Sequence, residues 1–128
     1  MKKGRLIAAG TAAATLSLLF GVVAALAQDP LKVDPAKNKL VLENDRVRVY
    51  EVKNPPGGML KLHSHPAHVV YFLDEGSAKF TTADGKVTEA KVKAGEALWS
   101  DPVTHSVLNT GKTPLRAVVI ELKDKKKN

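Results

Sequence analysis

The four histidines of this 128-residue chain lie in two short segments, and imidazoles placed in this way can hold a metal ion. His63 and His65 are separated by one residue, His68 follows them closely, and His105 lies far along the chain. Successive side chains of a β-strand point to opposite faces, so His63 and His65 would share a face. Imidazole suits Zn, Fe, Ni and Cu, whereas Mg and Ca prefer oxygen ligands. The spacing predicts a divalent-metal site held by His63 and His65, with His105 as a third ligand from a distant strand.

The segments around these histidines have the periodicity of β-strands. Apolar and polar residues alternate along residues 46–51, 60–63 and 117–122, and residues 69–73 form an apolar run of strand length. Turn-forming residues separate the runs, and Asp84-Gly85 is typical of a tight hairpin. No segment after residue 27 shows clear helical periodicity. The pattern predicts an all-β sandwich or barrel of short antiparallel strands.

The two histidine segments resemble the two conserved motifs of the cupin superfamily. The first motif is matched by Gly57, His63, His65 and Gly76, and the second by Gly95, Pro102, His105 and Asn109. The stretch from His63 to Gly76 also resembles small single-domain cupins with an HxHPxHV segment. The resemblance implies a single antiparallel jelly-roll β-barrel over residues 39–122. It also implies that the metal lies inside the barrel near its mouth, with His63, His65 and His105 as ligands.

The chain departs from the cupin pattern at one ligand position. The pattern places a glutamate four residues after the second histidine, and this chain has Val69 there. The second motif also lacks the glycine that is expected after its proline. The remaining set of three histidines is similar to that of the thiol dioxygenases of the superfamily. Three neutral ligands leave the full charge of the ion, which favours an anionic ligand or a bound hydroxide.

Three further residues have open alternatives, and a fourth has a single expectation. His68 could be a fourth ligand, a base beside the metal, or a residue of the rim. Tyr71 has the same parity as Val69 and is expected to point inward, as a proton donor, a substrate contact or a core residue. Asn109 would either orient the site through hydrogen bonds or begin a turn. Trp99 is expected in the core of the barrel.

The N-terminus has the features of a signal peptide over residues 1–27. Basic residues precede the uncharged apolar stretch 6–24, and Ala25-Leu26-Ala27 matches a signal-peptidase site before Gln28. The alternative is an uncleaved membrane anchor. Cleavage predicts a periplasmic or secreted protein without a stable membrane anchor. Residues 28–38 are expected to form an extended lead-in, and residues 123–128 a basic tail.

Composition excludes several classes of function. The formal charge of +7 falls to +4 when the three basic residues of the signal peptide are removed, and the C-terminal tail supplies most of the remainder. The folded body is nearly neutral, which argues against nucleic-acid binding. The chain has no cysteine, so a metal site must use histidines and carboxylates. No nucleophile triad or phosphate-binding loop is present.

These observations leave three hypotheses for function. The first is a metal-dependent enzyme of the dioxygenase, isomerase or decarboxylase type that acts on a small organic acid or similar metabolite. The second is a non-catalytic periplasmic module that binds a metal or a small ligand, and the third is a metal-free protein with exposed histidines. The metal would be Fe, Mn, Ni or Zn. The oligomeric state stays open, with a homodimer suggested because cupins often pair through edge strands.

Overall fold

Alternating apolar and polar residues form nine strands in the computed structural model, which describes residues 28–124. The elements are α1 (Pro30–Val33), β1 (Asn38–Glu43), β2 (Val47–Asn54), β3 (Met59–His65), β4 (His68–Phe72), β5 (Gly76–Thr82), β6 (Val87–Val92), β7 (Ala97–Ser100), β8 (Val103–Asn109) and β9 (Leu115–Leu122). The predicted signal peptide and the last four residues of the basic tail lie outside the described residues. Within residues 28–124, no helix has both the length and the apolar character needed to cross a membrane.

The strands form two antiparallel sheets that pack face to face. One sheet has the order β1-β2-β9-β4-β7, and the other has the order β3-β8-β5-β6. The chain passes repeatedly from one sheet to the other, as at the β2–β3, β3–β4 and β4–β5 connections. This arrangement confirms the predicted jelly-roll and places β3 beside β8, the two strands that carry the predicted metal ligands.

The core lies between the sheets and follows the two-residue period of the strands. In β9, Leu115, Ala117 and Val119 are buried, while the residues between them face outward. Leu60 and Val107 oppose them from the second sheet. The complete buried apolar cluster is Tyr50, Val52, Leu60, Phe72, Ala78, Val92, Val107, Leu115, Ala117 and Val119. Side chains of both sheets thus surround the interior into which the histidines project.

Two local expectations differ from the structure. The segment 28–38, predicted as extended, contains the helical turn α1, because Asp29 accepts a hydrogen bond from the Leu31 N–H (3.0 Å) and Pro30 presets the helical φ. The expectation that Trp99 lies in the core is wrong. Its side chain is 59% exposed, and its indole N–H donates to Asp101 Oδ1 at 3.2 Å. The hairpin predicted at Asp84-Gly85 is present and joins β5 to β6, with Gly85 at φ +91°.

Candidate metal centre

The paired strands β3 and β8 bring three histidines together. His63 faces His105 directly in the antiparallel register, and His65 follows on the same face of β3. The ring centroids are 4.6 Å apart for His63–His65, 4.8 Å for His63–His105 and 5.3 Å for His65–His105. One ring nitrogen from each residue lies within 4.8 Å of the other two. The three residues that the sequence predicts as ligands therefore share one site.

A bulge in β3 aims His63 into the barrel. The register between β3 and β8 shifts between Leu60 and His63, so both of these residues are buried. Lys61 and Leu62, which lie between them, both face outward. A β-bulge places two residues opposite one and redirects the side chains that follow. Leu60 can then pack in the core while His63 and His65 line the interior.

Hydrogen bonds at Nδ1 fix the orientation of two of the imidazoles. His63 Nδ1–H donates to the Lys61 carbonyl oxygen at 2.7 Å, and His65 Nδ1–H donates to Glu121 Oε2 at 2.8 Å. We assign these protons from the acceptors that the ring nitrogens face. Each Nε2 then keeps a free lone pair, which is the donor that a metal ion requires.

Burial keeps the imidazoles of His63 and His105 neutral. It lowers the pKa of His63 to about 4, with a further contribution from the charge of His65. Burial, followed by the charges of the other three histidines, lowers the pKa of His105 to about 3. A metal competes with protons for imidazole nitrogens, so neutral histidines favour metal binding. The donor set therefore fits a borderline transition-metal ion such as Zn²⁺, Fe²⁺ or Ni²⁺.

A buried carboxylate supports His65 from the opposite sheet. Glu121 is 2% exposed, accepts from the Tyr50 hydroxyl at 2.9 Å, and accepts from Arg48 Nη2 at 2.7 Å. Arg48 is held in turn by Asp29 at 2.8 Å. Burial raises the pKa of Glu121, but the hydrogen bonds from His65 and Tyr50 and the charge of Arg48 together bring it below its usual value. Carboxylates placed in this way orient metal-bound histidines and strengthen them as donors.

Sequence analysis missed this carboxylate network. Glu121 has the parity of the buried residues Ala117 and Val119 on β9. The sequence does contain a signal for it: Glu121 is a charged residue at a position where the alternation of β9 predicts burial. Charged residues are rarely buried without partners, so this position predicts a buried ion pair. The supporting residues Tyr50 and Arg48 gave no comparable signal.

His68 lies beside the three-histidine group without belonging to it. Its ring stacks on His65 with the centroids 4.3 Å apart, and its Nδ1–H donates to the Pro66 carbonyl oxygen at 2.8 Å. The side chain is 2% exposed, which excludes a position on the rim. Burial, and then the charge of His65, lower the pKa of His68. A neutral imidazole with a free Nε2 thus lies next to the three candidate metal ligands.

The inward orientation predicted for Tyr71 is wrong. His68, Val70 and Phe72 form the inner face of β4, and Tyr71 is 42% exposed on the outer face. The turn at Pro66 resets the alternation, so parity cannot be carried from β3 into β4. Val69 is also on the outer face, and Val70 lines the interior in its place. Neither valine can bind a metal, so neither takes the place of the glutamate ligand that the cupin pattern has at this position.

Asn109 serves the fold rather than the histidines. It is 1% exposed, and its Nδ2 donates to the carbonyl oxygens of Asn54 (3.0 Å) and Thr113 (2.9 Å). Its Oδ1 accepts from the Gly111 N–H at 2.9 Å. These bonds hold the turn between β8 and β9, which is the second of the two roles predicted for this residue.

The histidines open onto a cavity of about 320 Å³ between the sheets. All four imidazoles line this cavity, together with apolar side chains from both sheets. Its volume lies at the lower end of the range for small-molecule pockets, roughly 300–1,000 Å³. Space for a small ligand is therefore continuous with the candidate metal ligands.

Comparison with known proteins establishes the family. Residues 50–121 match the family model described as the cupin domain, and the chain belongs to the cupin family. It is similar to a cupin domain from Bordetella pertussis Tohama I, with 29% identity, a TM-score of 0.63, and coverage of 68% of this chain and 92% of that one. A search of curated proteins finds no match.

Two further solved structures share the fold. An RmlC-like cupin family protein with a double-stranded β-helix fold from Methanocaldococcus jannaschii has 15% identity, covers 67% of this chain and 78% of that chain, and gives a TM-score of 0.57. The structure of BH2720 from Bacillus halodurans has 18% identity, with 72% and 74% coverage and a TM-score of 0.58. At these identities the likeness concerns the fold alone.

Proposed function

We propose that this cupin binds one divalent transition-metal ion through His63, His65 and His105 and acts as a metal-dependent enzyme on a small organic acid. The observation that carries the proposal is the convergence of three imidazole nitrogens within 4.8 Å of one another at the wall of a small cavity. Three protein ligands leave coordination positions for water or substrate, as in catalytic metal sites. This separation needs only small side-chain rotations to bring the nitrogens around one ion.

The protein supplies orientation and one proton-carrying group. A bound ion of this kind polarises a coordinated oxygen or lowers the pKa of coordinated water. Glu121 holds the His65 ring in place through Nδ1. His68 keeps Nδ1–H on the Pro66 carbonyl, so Nε2 is the atom that can accept or return a proton. The apolar side chains of the cavity wall surround this group, and a ligand bound there would be partly shielded from water.

A second candidate function is a non-catalytic module that binds a metal and a small ligand. The observation that favours it is the scarcity of proton-transfer groups. Among the cavity-lining residues that the structure describes, only His68 and Tyr50 can titrate besides the three ligands. The Tyr50 hydroxyl donates to Glu121, and burial raises its pKa far above neutrality. Tyr71, the other predicted catalytic residue, faces away from the cavity.

We propose a periplasmic or secreted location for either function, because residues 1–27 have the sequence features of a signal peptide, and fractionation of the native host tests this. Metal analysis of protein purified without a histidine tag tests the site. The wild type should hold one ion per chain after exposure to Fe, Mn, Ni or Zn and removal of excess. His63→Ala and His105→Ala should abolish stoichiometric binding, because two remaining ligands hold an ion poorly. His68→Gln should keep its metal, and loss of metal in this variant would make His68 a ligand.

Turnover separates the two candidate functions. Thiol acids, keto acids and hydroxy acids are incubated with each metal form, with and without O₂. The enzyme proposal predicts turnover that falls by about 10² or more in His68→Gln, the size of a general acid–base contribution. Absence of turnover in every metal form, together with a ligand that raises the melting temperature, would favour the binding module.

A further inference from the structure

The cavity beside the metal ligands is lined by residues without formal charge. Apart from the histidines, its walls hold apolar residues and a few neutral polar ones, and no Lys, Arg, Asp or Glu of the described chain contributes to them. The Arg48 guanidinium lies behind the wall, 5.7 Å from the centre of the Tyr50 ring, and directs its donors to Glu121 and Asp29. The part of the chain that the structure describes thus offers no cation to a ligand carboxylate inside the cavity.

Most of the buried polar side chains of the wall are already engaged with the protein. The Tyr50 hydroxyl donates to Glu121 at 2.9 Å. Asn38 Nδ2 donates to the carbonyl oxygens of Pro30 and Asp34 at 3.2 and 2.9 Å. Polar groups that are committed to the protein cannot hydrogen-bond a ligand without losing these bonds. A sugar-like ligand with several hydroxyls would therefore enter this cavity with few partners.

Two polar residues nearer the surface also line the wall: Ser100 Oγ–H donates to the Asp101 carbonyl oxygen at 2.9 Å, and Thr88 is exposed. Asn54 is the other buried polar residue of the wall. Its Nδ2 donates to the Gly58 carbonyl oxygen at 3.0 Å, and its Oδ1 is buried without a hydrogen-bond partner. That oxygen lies against the α-carbon of Gly58, where a β-carbon would overlap it. It packs against backbone and leaves the apolar character of the cavity unchanged.

We propose that the site takes a ligand with a single anionic head and a short apolar tail, and that it discriminates against dianions. This inference rests on the proposed function, because no Lys or Arg among residues 28–124 lines the cavity and the bound ion would supply the positive charge for the head. The tail would lie among apolar side chains such as Val70, Phe72 and Leu98. At about 30 Å³ per water-sized group, a cavity of 320 Å³ has room for roughly ten such groups. Short monocarboxylates fit these limits, and a second carboxylate would be buried without a partner.

The test uses the Co(II)-loaded protein, whose electronic absorption changes when a carboxylate coordinates the ion. Titrations with acetate, propanoate, butanoate and pentanoate should show affinity that rises about fourfold for each added CH₂, the gain expected for its burial. Glutarate, with the same number of carbons as pentanoate, should bind at least about tenfold more weakly, because its second charge has no partner. The metal-free protein has no ion to coordinate a carboxylate, so it serves as the blank.

A pair of variants locates the tail. Leu98 lines the cavity and is 39% exposed, so Leu98→Arg places a cation at the wall without emptying the core. This change should raise the affinity for glutarate relative to pentanoate. Leu122, also 39% exposed but outside the cavity, gives the matched control, and Leu122→Arg should leave the ratio unchanged.

The outcomes separate this inference from the proposed function. A protein that binds no Co(II) overturns both. A Co(II)-loaded protein whose affinity for monocarboxylates is independent of chain length, or that prefers glutarate, overturns the tail inference and leaves the metal site standing. An unchanged ratio in Leu98→Arg would likewise show that the tail does not lie in this cavity.

Discussion

Replacement of Glu121 by glutamine isolates the contribution of the carboxylate behind His65. The change keeps the size of the side chain and removes the charge that accepts from His65 Nδ1–H at 2.8 Å. Loss of such a supporting partner costs 10–100-fold in metal affinity. Glu121 also pairs with Arg48 at 2.7 Å, and removing one member of a buried pair costs up to about 3–5 kcal/mol of stability. Asp29 still pairs with Arg48 in the variant, which keeps the stability loss at the lower end.

Competition between the protein and a chromophoric chelator for Zn²⁺ measures the affinity of each variant. Far-UV circular dichroism and urea denaturation establish that it is folded. Tyr50→Phe removes the Tyr50 hydroxyl from Glu121 and leaves the hydrogen bond between Glu121 and His65 in place, so its metal affinity should fall less than that of Glu121→Gln. Glu51→Gln is the control, because Glu51 lies on the outer face of the same sheet. A folded Glu121→Gln protein with the metal affinity of the wild type would refute the assigned role of this carboxylate.

Three further predictions concern stability, pH and a surface residue. Gly58→Ala should lower the free energy of unfolding by about 1–3 kcal/mol, as overpacking does, because the new β-carbon meets Asn54 Oδ1; urea denaturation measures it. The metal-free protein should lose stability as the pH falls from about 6.5 toward 4, since unfolding restores the ordinary pKa of His63 and His105 and the unfolded chain then binds more protons. His105→Gln should flatten that slope, and an unchanged slope would contradict the lowered pKa values. Tyr71→Phe should leave metal content and ligand affinity at the wild-type level, whereas a loss of either would place the Tyr71 hydroxyl at the site.

The fold and the ligand set could be predicted because both depend on local patterns. Two-residue periodicity and turn residues predict strands without knowledge of their partners. The one-residue spacing of His63 and His65 places them on one face of any strand, and the second motif supplies His105. The direct pairing of His63 with His105 then brings the segments together.

The residues that sequence analysis misplaced depend on features that alternation alone does not reveal. The bulge in β3 and the turn at Pro66 each reset which parity faces inward, so Tyr71 was assigned to the wrong face. In β2 the more polar Tyr50 lies on the buried face and the apolar Val49 lies on the opposite face, so the apolar residues of a strand do not always mark its inner face. Glu121 is stabilised by partners on two other strands, and pairing between distant strands cannot be read from a single run of residues.

X-ray absorption spectroscopy of the zinc-loaded protein tests the central claim most directly, because imidazole scattering counts the histidines bound to the ion. The three-histidine site predicts three imidazoles with zinc–nitrogen distances of about 2.0–2.1 Å and oxygen at the remaining positions. The same measurement on His105→Ala should show no ion held at stoichiometric occupancy. A spectrum with oxygen ligands alone, or with two imidazoles in the wild type, would contradict the site formed by His63, His65 and His105.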